Sequence, residues 1–330
     1  MSAQFLQNIL PSIESANGYK FRMPILNLRY LPLLFLLATL PAQADNKKSN
    51  LIADDQQSVH KQTLVAAETL KDHLNPRKLF LRSSTALVYD ISDNLMLYDK
   101  DADKEMPIAS LTKIMTAMVI LDKKLDLSEN IRIKRKDRDR LRGSKSRLSY
   151  GTILTRADML KIALAASENR AAKALARTYP GGHKAFIVAM NNKAKSLGML
   201  NTKFKDSTGL HSGNVSTAKD LVKLVAAATK YPLIETLSTV GKSYVTDLRA
   251  GWKVEFFNTN RLVRRKNWDI NLSKTGYIAD AGHCLIMETT IANRPVIIVL
   301  LNSWGKLSKF GDSNRIKRWL QNAETRIASI

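Results

Sequence analysis

The chain has 330 residues, 45% hydrophobic and 25% charged, which excludes disordered, collagen-like and disulfide-scaffold proteins. With 52 Lys and Arg against 29 Asp and Glu the formal charge is +23, pointing to a polyanionic partner such as nucleic acid, an anionic membrane surface or an acidic polymer. A single cysteine rules out an intramolecular disulfide.

Residues 1–44 carry four charges, Glu14, Lys20, Arg22 and Arg29. An apolar run, Leu31–Leu40, follows the basic residues and leads into Ala42-Gln43-Ala44. This order predicts a secretory signal peptide over 1–44, the run being too short to span a bilayer. Met23 is an alternative start, and with no cysteine at the cleavage point a lipid anchor is not expected. Cleavage after Ala44 leaves 286 residues with a charge of +21. Export places that charge in the periplasm, where lipid head groups and cell-wall polymer replace nucleic acid as the expected anions.

Residues 45–76 read as a polar leader with a helix over 58–73. Thr85–Asp90 and Leu95–Tyr98 flank Ser92-Asp93-Asn94 and predict a hairpin. Apolar residues from Leu111 to Val119 recur at helical spacing, predicting a helix opened by Pro107 and Ser110 and running to about Leu121. Residues 132–147 hold nine Lys or Arg against Asp137 and Asp139. Helices are predicted at about 156–166, 169–178, 183–196 and 217–230. The last opens on a Thr217–Asp220 capping box, and Gly198 stops the one before it. Beyond Pro232 the pattern changes to strands at 243–248, 253–257, 268–272, 284–291 and 296–302, with a closing helix from about Asp312 to Ile327. The expected architecture is α+β: one antiparallel sheet made of the first hairpin and the late strands, with a helical block (about 110–240) inserted between them.

Ser110-Leu-Thr-Lys113 sets a hydroxyl and an amine on one helix face. Lysine can act as a base only when neutral, and moving its pKa from about 10.4 to near 7 costs roughly 4–5 kcal/mol, which burial and a second cation can supply. Ser-x-x-Lys also begins at Ser58, Ser216 and Ser303, and Ser-x-Asn at Ser15, Ser92, Ser128, Ser167 and Ser212, whereas Lys274-Thr275-Gly276 is unique. Order and context select Ser110, which has a hairpin before it and an apolar helix after it. They also select Ser167-Glu-Asn169, at a junction between two apolar helical stretches.

This set, with Pro107-Ile-Ala-Ser-Leu-Thr-Lys113 and Ser207-Thr-Gly-Leu210, resembles the penicillin-recognising serine enzymes: low-molecular-mass penicillin-binding proteins and serine β-lactamases. The resemblance covers roughly 80–325. Ser167–Ala172, Tyr179–Gly182, Lys193–Met199 and Ala281–Cys284 are most similar to the soluble DD-endopeptidase branch, peptidase family S11. It implies a DD-peptidase-like fold with a five-stranded antiparallel sheet and a catalytic domain over 77–330. It further implies Ser110 as nucleophile, Lys113 as its base, Ser167 as a proton relay and Asn169 as a holder of the substrate amide and Lys113. Lys274 and Thr275 would bind a substrate carboxylate. Gly276 would let substrate lie along its strand, and the backbone N–H groups of Ser110 and Tyr277 would form an oxyanion hole.

Cys284 lies in an apolar stretch and reads as a buried thiol. The five histidines show no metal spacing, so no metal or cofactor is expected. The four tryptophans read as core or rim. The basic stretch reads either as a solvated face or as a loop beside the cleft that attracts anionic stem peptides.

The implied activity is a serine DD-endopeptidase cutting D-alanyl–diaminopimelate cross-bridges, with a DD-carboxypeptidase removing terminal D-Ala as the alternative. A non-catalytic basic wall-binding protein is the alternative of another class. The absence of a Glu-x-x-Leu-Asn sequence argues against a β-lactamase and implies that penicillin stays bound. Implied partners are peptidoglycan stem peptides, β-lactams as covalent inhibitors, and wall-synthesis enzymes in loose association. No nucleic acid and no stable membrane anchor are expected, since the chain closes after its last helix.

Overall fold

In the computed structural model, which describes Leu70 and residues 73–327, the first hairpin forms as β1 (Ser83–Asp90) and β2 (Leu95–Lys100). Its turn is built by side chains that favour turns: Asp90 Oδ1 accepts from the N–H groups of Ser92 and Asp93, and Asn94 takes a left-handed φ of +54°. The expected signal peptide and nearly all of the leader lie outside the described residues.

A short β3 (Met106–Pro107) leads through a 3₁₀ turn, Ala109–Leu111, into α1 (Thr112–Asp122). Every residue from Thr112 to Ile120 is buried. A helix apolar on all sides runs through the middle of a domain rather than over its surface, and this one does. After β4 (Asn130–Arg132) and β5 (Ile153–Thr155) come α2 (Arg156–Ala165), α3 (Asn169–Arg177) and α4 (Gly182–Ser196). Gly198 ends α4 as expected. At φ +68°, its N–H bonds to Lys195 O while Met199 N–H reaches back to Ala194 O.

β6 (Val215–Ser216) precedes α5 (Ala218–Ala228). The expected capping box is only half formed. Thr217 Oγ1 accepts from Asp220 N, but the Asp220 carboxylate turns away to Asn201 N and Thr202 Oγ1. Before the first expected strand the chain forms a helix that was not predicted, α6 (Pro232–Thr239), with proline at the first helical position, where its missing N–H costs nothing. β7 (Lys242–Thr246) and β8 (Lys253–Phe257) pair only with each other. Three such two-stranded ribbons, β3–β6, β4–β5 and β7–β8, therefore accompany the helices of the insert.

β9 (Asp269–Ile278), β10 (Gly282–Ile291) and β11 (Arg294–Ser303) join the first hairpin in one antiparallel sheet of order β2-β1-β11-β10-β9. Residues Val296–Leu301 of the central strand are all fully buried. That run is continuous rather than alternating because both faces are covered. On one face, Ala86, Val88, Leu285, Met287, Ile298 and Leu300 belong to a core with Phe310, Ile316, Trp319 and Leu320 of α7 (Ser308–Ile327). The other face meets the insert through α5. β2 and β9 are the edge strands of the sheet. Among the described residues no helix is long and apolar enough to cross a membrane.

Asp312 pins α7 to β1. Its buried carboxylate accepts from Arg82 N, Ser83 N and Ser83 Oγ. Asp312→Ala would leave these donors without an acceptor, so it should cost about 2–4 kcal/mol in denaturant unfolding; a cost under about 0.5 kcal/mol would show that the contact does not hold the helix.

Candidate active site

The first wall of the site is the Ala109–Leu111 turn. Ala109 sits at φ +47°, uncommon for a residue with a side chain, and Thr112 Oγ1 ties the turn by donating to Ala109 O. One helical turn on, Lys113 points inward from buried α1. Its Nζ lies 2.8 Å from Ser110 Oγ, 2.8 Å from Asn169 Oδ1 and 2.7 Å from Thr208 O.

Asn169 arrives from the second wall. Ser167, at φ +61°, turns the chain between α2 and α3, and Glu168 caps α3 by accepting from Arg170 N. Asn169 is the first residue of that helix. Its Nδ2 donates to Ser144 Oγ at 2.9 Å, which leaves Oδ1 as the atom facing Lys113.

Thr208 belongs to a loop organised by Asp206. This buried carboxylate accepts from Thr208 N, Gly209 N, Thr208 Oγ1 and His211 N. Asn214 braces the loop from behind, donating to Thr112 Oγ1 and Asp206 O. Gly209, at φ +83°, lies directly against the nucleophile turn. A Cβ built there would stand 1.8 Å from Ala109 O.

β9 forms the third wall. A Cβ at Gly276 would come within 3.0 Å of Ala109 Cβ, Ile108 O and Ser110 N. The glycine therefore also lets the strand approach the Ser110 turn. Thr275 Oγ1 donates to Thr259 Oγ1 at 2.7 Å. Lys274 is buried, with Nζ 3.0 Å from Thr275 O. Tyr277 is exposed and stacks on His283 at 4.3 Å.

Two buried lysines share this floor. Burial pushes Lys113 down to about 7, against the opposing pull of Asp206, Glu168 and Asp139. Lys274 is pushed well below its ordinary range by burial and then by the Lys113 charge. Asp139 is raised by burial, but hydrogen bonds from the Ser144 side chain and the N–H groups of Ser144, Arg142 and Leu141 outweigh this and hold it at about 2.

A cleft of about 1120 Å³ opens above the lysines, and Ser110, Ser167, Asn169, Thr275, Gly276 and Tyr277 all line it. The three motifs, separated by up to 166 positions in sequence, thus converge, with Lys113 and Lys274 beneath them. Sequence reasoning missed several members. Arg142 lines the cleft and pairs with Asp280 at 2.5 Å while donating to Leu210 O. Lys309 also lines the cleft, lowered to about 8 chiefly by burial. The Arg142 signal was hidden in a run of nine basic residues, and Lys309 carries no local signal in the first turn of α7.

Outside the motifs, the expectations for Cys284 and for the tryptophans divide. Cys284 is fully buried and raised to about 11 chiefly by burial, an inert thiol. No metal-binding cluster occurs among the described residues. Trp268 and Trp319 are core residues, but Trp252 and Trp304 are exposed, so only half of the tryptophans fill the interior.

A family model described as D-alanyl-D-alanine carboxypeptidase, peptidase S11, matches residues 73–305. The chain belongs to the peptidase S11 family. It is 46% identical over 244 residues to a protein named D-alanyl-D-alanine endopeptidase from Escherichia coli, covering 74% of this chain and 79% of the relative. A Pseudomonas aeruginosa protein of the same name is 46% identical over 249 residues, covering 76% and 80%. Among solved structures, a mutant of the Streptomyces K15 DD-transpeptidase superposes with a TM-score of 0.68 at 27% identity, covering 74% of this chain and 99% of that one. The ampicillin-bound penicillin-binding protein D2 of Listeria monocytogenes superposes with a TM-score of 0.63 at 29% identity, covering 73% and 98%. The S11 fold therefore accounts for the sheet, the insert and the convergence of the motifs.

The glycines give a test of the packing around the nucleophile turn. Gly209 and Gly198 both have positive φ, but only Gly209 faces backbone at overlap distance. Gly198→Ala should cost about 1 kcal/mol in thermal unfolding and Gly209→Ala clearly more, about 3 kcal/mol. Equal costs would contradict the close approach.

Proposed function

We propose that this S11 enzyme is a penicillin-binding serine DD-endopeptidase of the periplasm, cutting the D-alanyl–diaminopimelate cross-bridge of peptidoglycan through an acyl-enzyme on Ser110. The observation that carries the reading is the environment of the Lys113 amine. A neutral amine has two N–H donors and one lone pair. Asn169 Oδ1 and Thr208 O can only accept, so they take the two N–H groups. The lone pair is then left for the Ser110 hydroxyl. Burial supplies the neutral form near pH 7.

The reaction follows from that arrangement. Ser110 Oγ attacks the D-Ala carbonyl carbon as its proton passes to Lys113. The backbone N–H groups of Ser110 and Tyr277 hold the resulting oxyanion, each donor being worth about 3–4 kcal/mol. Collapse breaks the C–N bond, and the proton moves from Lys113 through Ser167 to the departing amine. Water then hydrolyses the ester, releasing a D-Ala carboxylate and restoring Ser110. Lys274 and Thr275 hold the carboxylate beside the leaving amine. That carboxylate favours the charged form of Lys274, whose charge in turn helps keep Lys113 neutral. In a β-lactam the amine stays tethered to the acyl group, so the ester persists.

The endopeptidase assignment is supported by the relatives of that name at 46% identity. A carboxypeptidase removing terminal D-Ala would use the same residues, and a Bacillus subtilis relative 32% identical over 240 residues bears that name. Export through the signal peptide over 1–44, with cleavage after Ala44, is part of the same proposal.

Fluorescent penicillin should label the purified protein one to one, and Ser110→Ala should abolish the label; an unlabelled wild type would sink the acyl-enzyme, and a labelled variant would sink this nucleophile. Digestion of purified muropeptides should convert cross-linked dimers to monomers while sparing terminal D-Ala. Release of D-Ala with dimers intact would assign the carboxypeptidase instead.

A further inference from the structure

The loop that carries Ser144 to the cleft has a second concave face. Arg135, Arg138, Arg140 and Tyr150 line a pocket of about 460 Å³ with Asp139 and Gly143. The chain passes from this pocket directly into the cleft, which the next residues, Leu141, Arg142 and Ser144, line in turn. The bend falls at Gly143, at φ +64°.

The charges here are left over from the pairing seen nearby. Arg142 is matched by Asp280 and Arg177 by Asp137. Among the described residues no carboxylate lies within ion-pair distance of Arg135, Arg138 or Arg140. Asp139, the carboxylate lining the pocket, is turned into its own loop, where Oδ1 accepts from Leu141 N and Arg142 N and Oδ2 from Ser144 N. It fixes the loop rather than neutralising the arginines. Lys173 Nζ donates to Arg138 O, and Arg170 stacks over Tyr150 at 4.4 Å, so the pocket wall is braced by α3. The result is a fixed basic concavity continuous with the reaction cleft, with guanidinium groups suited to carboxylates.

We propose that this arginine pocket is an extended subsite for stem-peptide carboxylates that lie beyond the residues in the reaction cleft, giving the enzyme a preference for full stem peptides over short ones. The inference rests on the peptidase reading above, which supplies a substrate bearing D-Glu and diaminopimelate carboxylates next to the cleft.

The test is a cycle between enzyme and substrate. In R138Q/R140Q, KM for a cross-linked muropeptide dimer should rise roughly tenfold with kcat within about twofold, as for lost charge-assisted contacts. A dimer amidated at its stem-peptide carboxylates other than the one beside the leaving amine should show a similarly raised KM with the wild type and little further change with the variant. Penicillin, too small to reach the pocket, should acylate both proteins at similar rates, which also shows that the variant is folded. An unchanged KM in R138Q/R140Q, or an equal rise on the amidated dimer, overturns the subsite. So would an unchanged KM accompanied by lost retention on anionic phospholipid vesicles, which would assign the patch to a membrane surface. A wild-type protein labelled by penicillin but inert on every muropeptide would instead overturn the peptidase reading itself.

Discussion

A lysine amine held away from water among three oxygen atoms is the constraint around which this molecule is arranged. Lys113 can remain in a wholly buried helix only by losing its charge or by finding acceptors, and the fold supplies both conditions. Thr112–Ile120 of α1 are buried because the helices of the insert pack around them. The three partners of Lys113 come from separate places: the turn before α1, the first residue of α3 and the Asp206 loop. One side chain thus ties together the nucleophile turn, α3 and the Asp206 loop.

Two positions of strained backbone fall at this site. Ala109 and Ser167 both occupy the left-handed region without being glycine, and both belong to the site. Gly209 and Gly276 are small because the backbones they touch would otherwise be pushed apart. The same packing settles the electrostatics. Burial drives Lys113 toward neutrality, nearby carboxylates moderate the effect, and a second buried lysine prevents both amines from holding full charge at once.

Much of this was legible from the chain. The hairpin, the helix after Ser110 and most helices of the insert follow from periodicity, and the three motifs were found by order and context. The misses have physical reasons. Pro232 read as a break but stands at the first position of a helix, where proline fits. The strand bearing Lys274 is longer than the 268–272 segment expected, because an edge strand beside the nucleophile turn carries polar and small residues that hide its apolar pattern. The carbonyl of Thr208 is a backbone atom and leaves no mark in the sequence, although its Ser-Thr-Gly-Leu segment did. Asp139 and Arg142 were hidden in a run that composition alone reads as surface charge. Their partners lie elsewhere in the chain or in backbone N–H groups.

The excess of basic residues is thereby divided into parts with different work. Lys113 and Lys274 serve the floor of the site, Arg142 closes one side of the cleft onto Asp280, and Arg177 and Arg156 are taken up by ion pairs. Arg135, Arg138 and Arg140, which have no carboxylate within ion-pair distance among the described residues, line a pocket beside the cleft. The central claim, however, concerns the Lys113 amine. Its titration can be followed directly by NMR of ¹³C-lysine-labelled protein, with Lys113→Met providing the assignment. The account predicts a midpoint at about 7, the amine charged below and neutral above it. A midpoint near the ordinary lysine value of about 10.4 would contradict it, leaving Ser110 without a base at neutral pH.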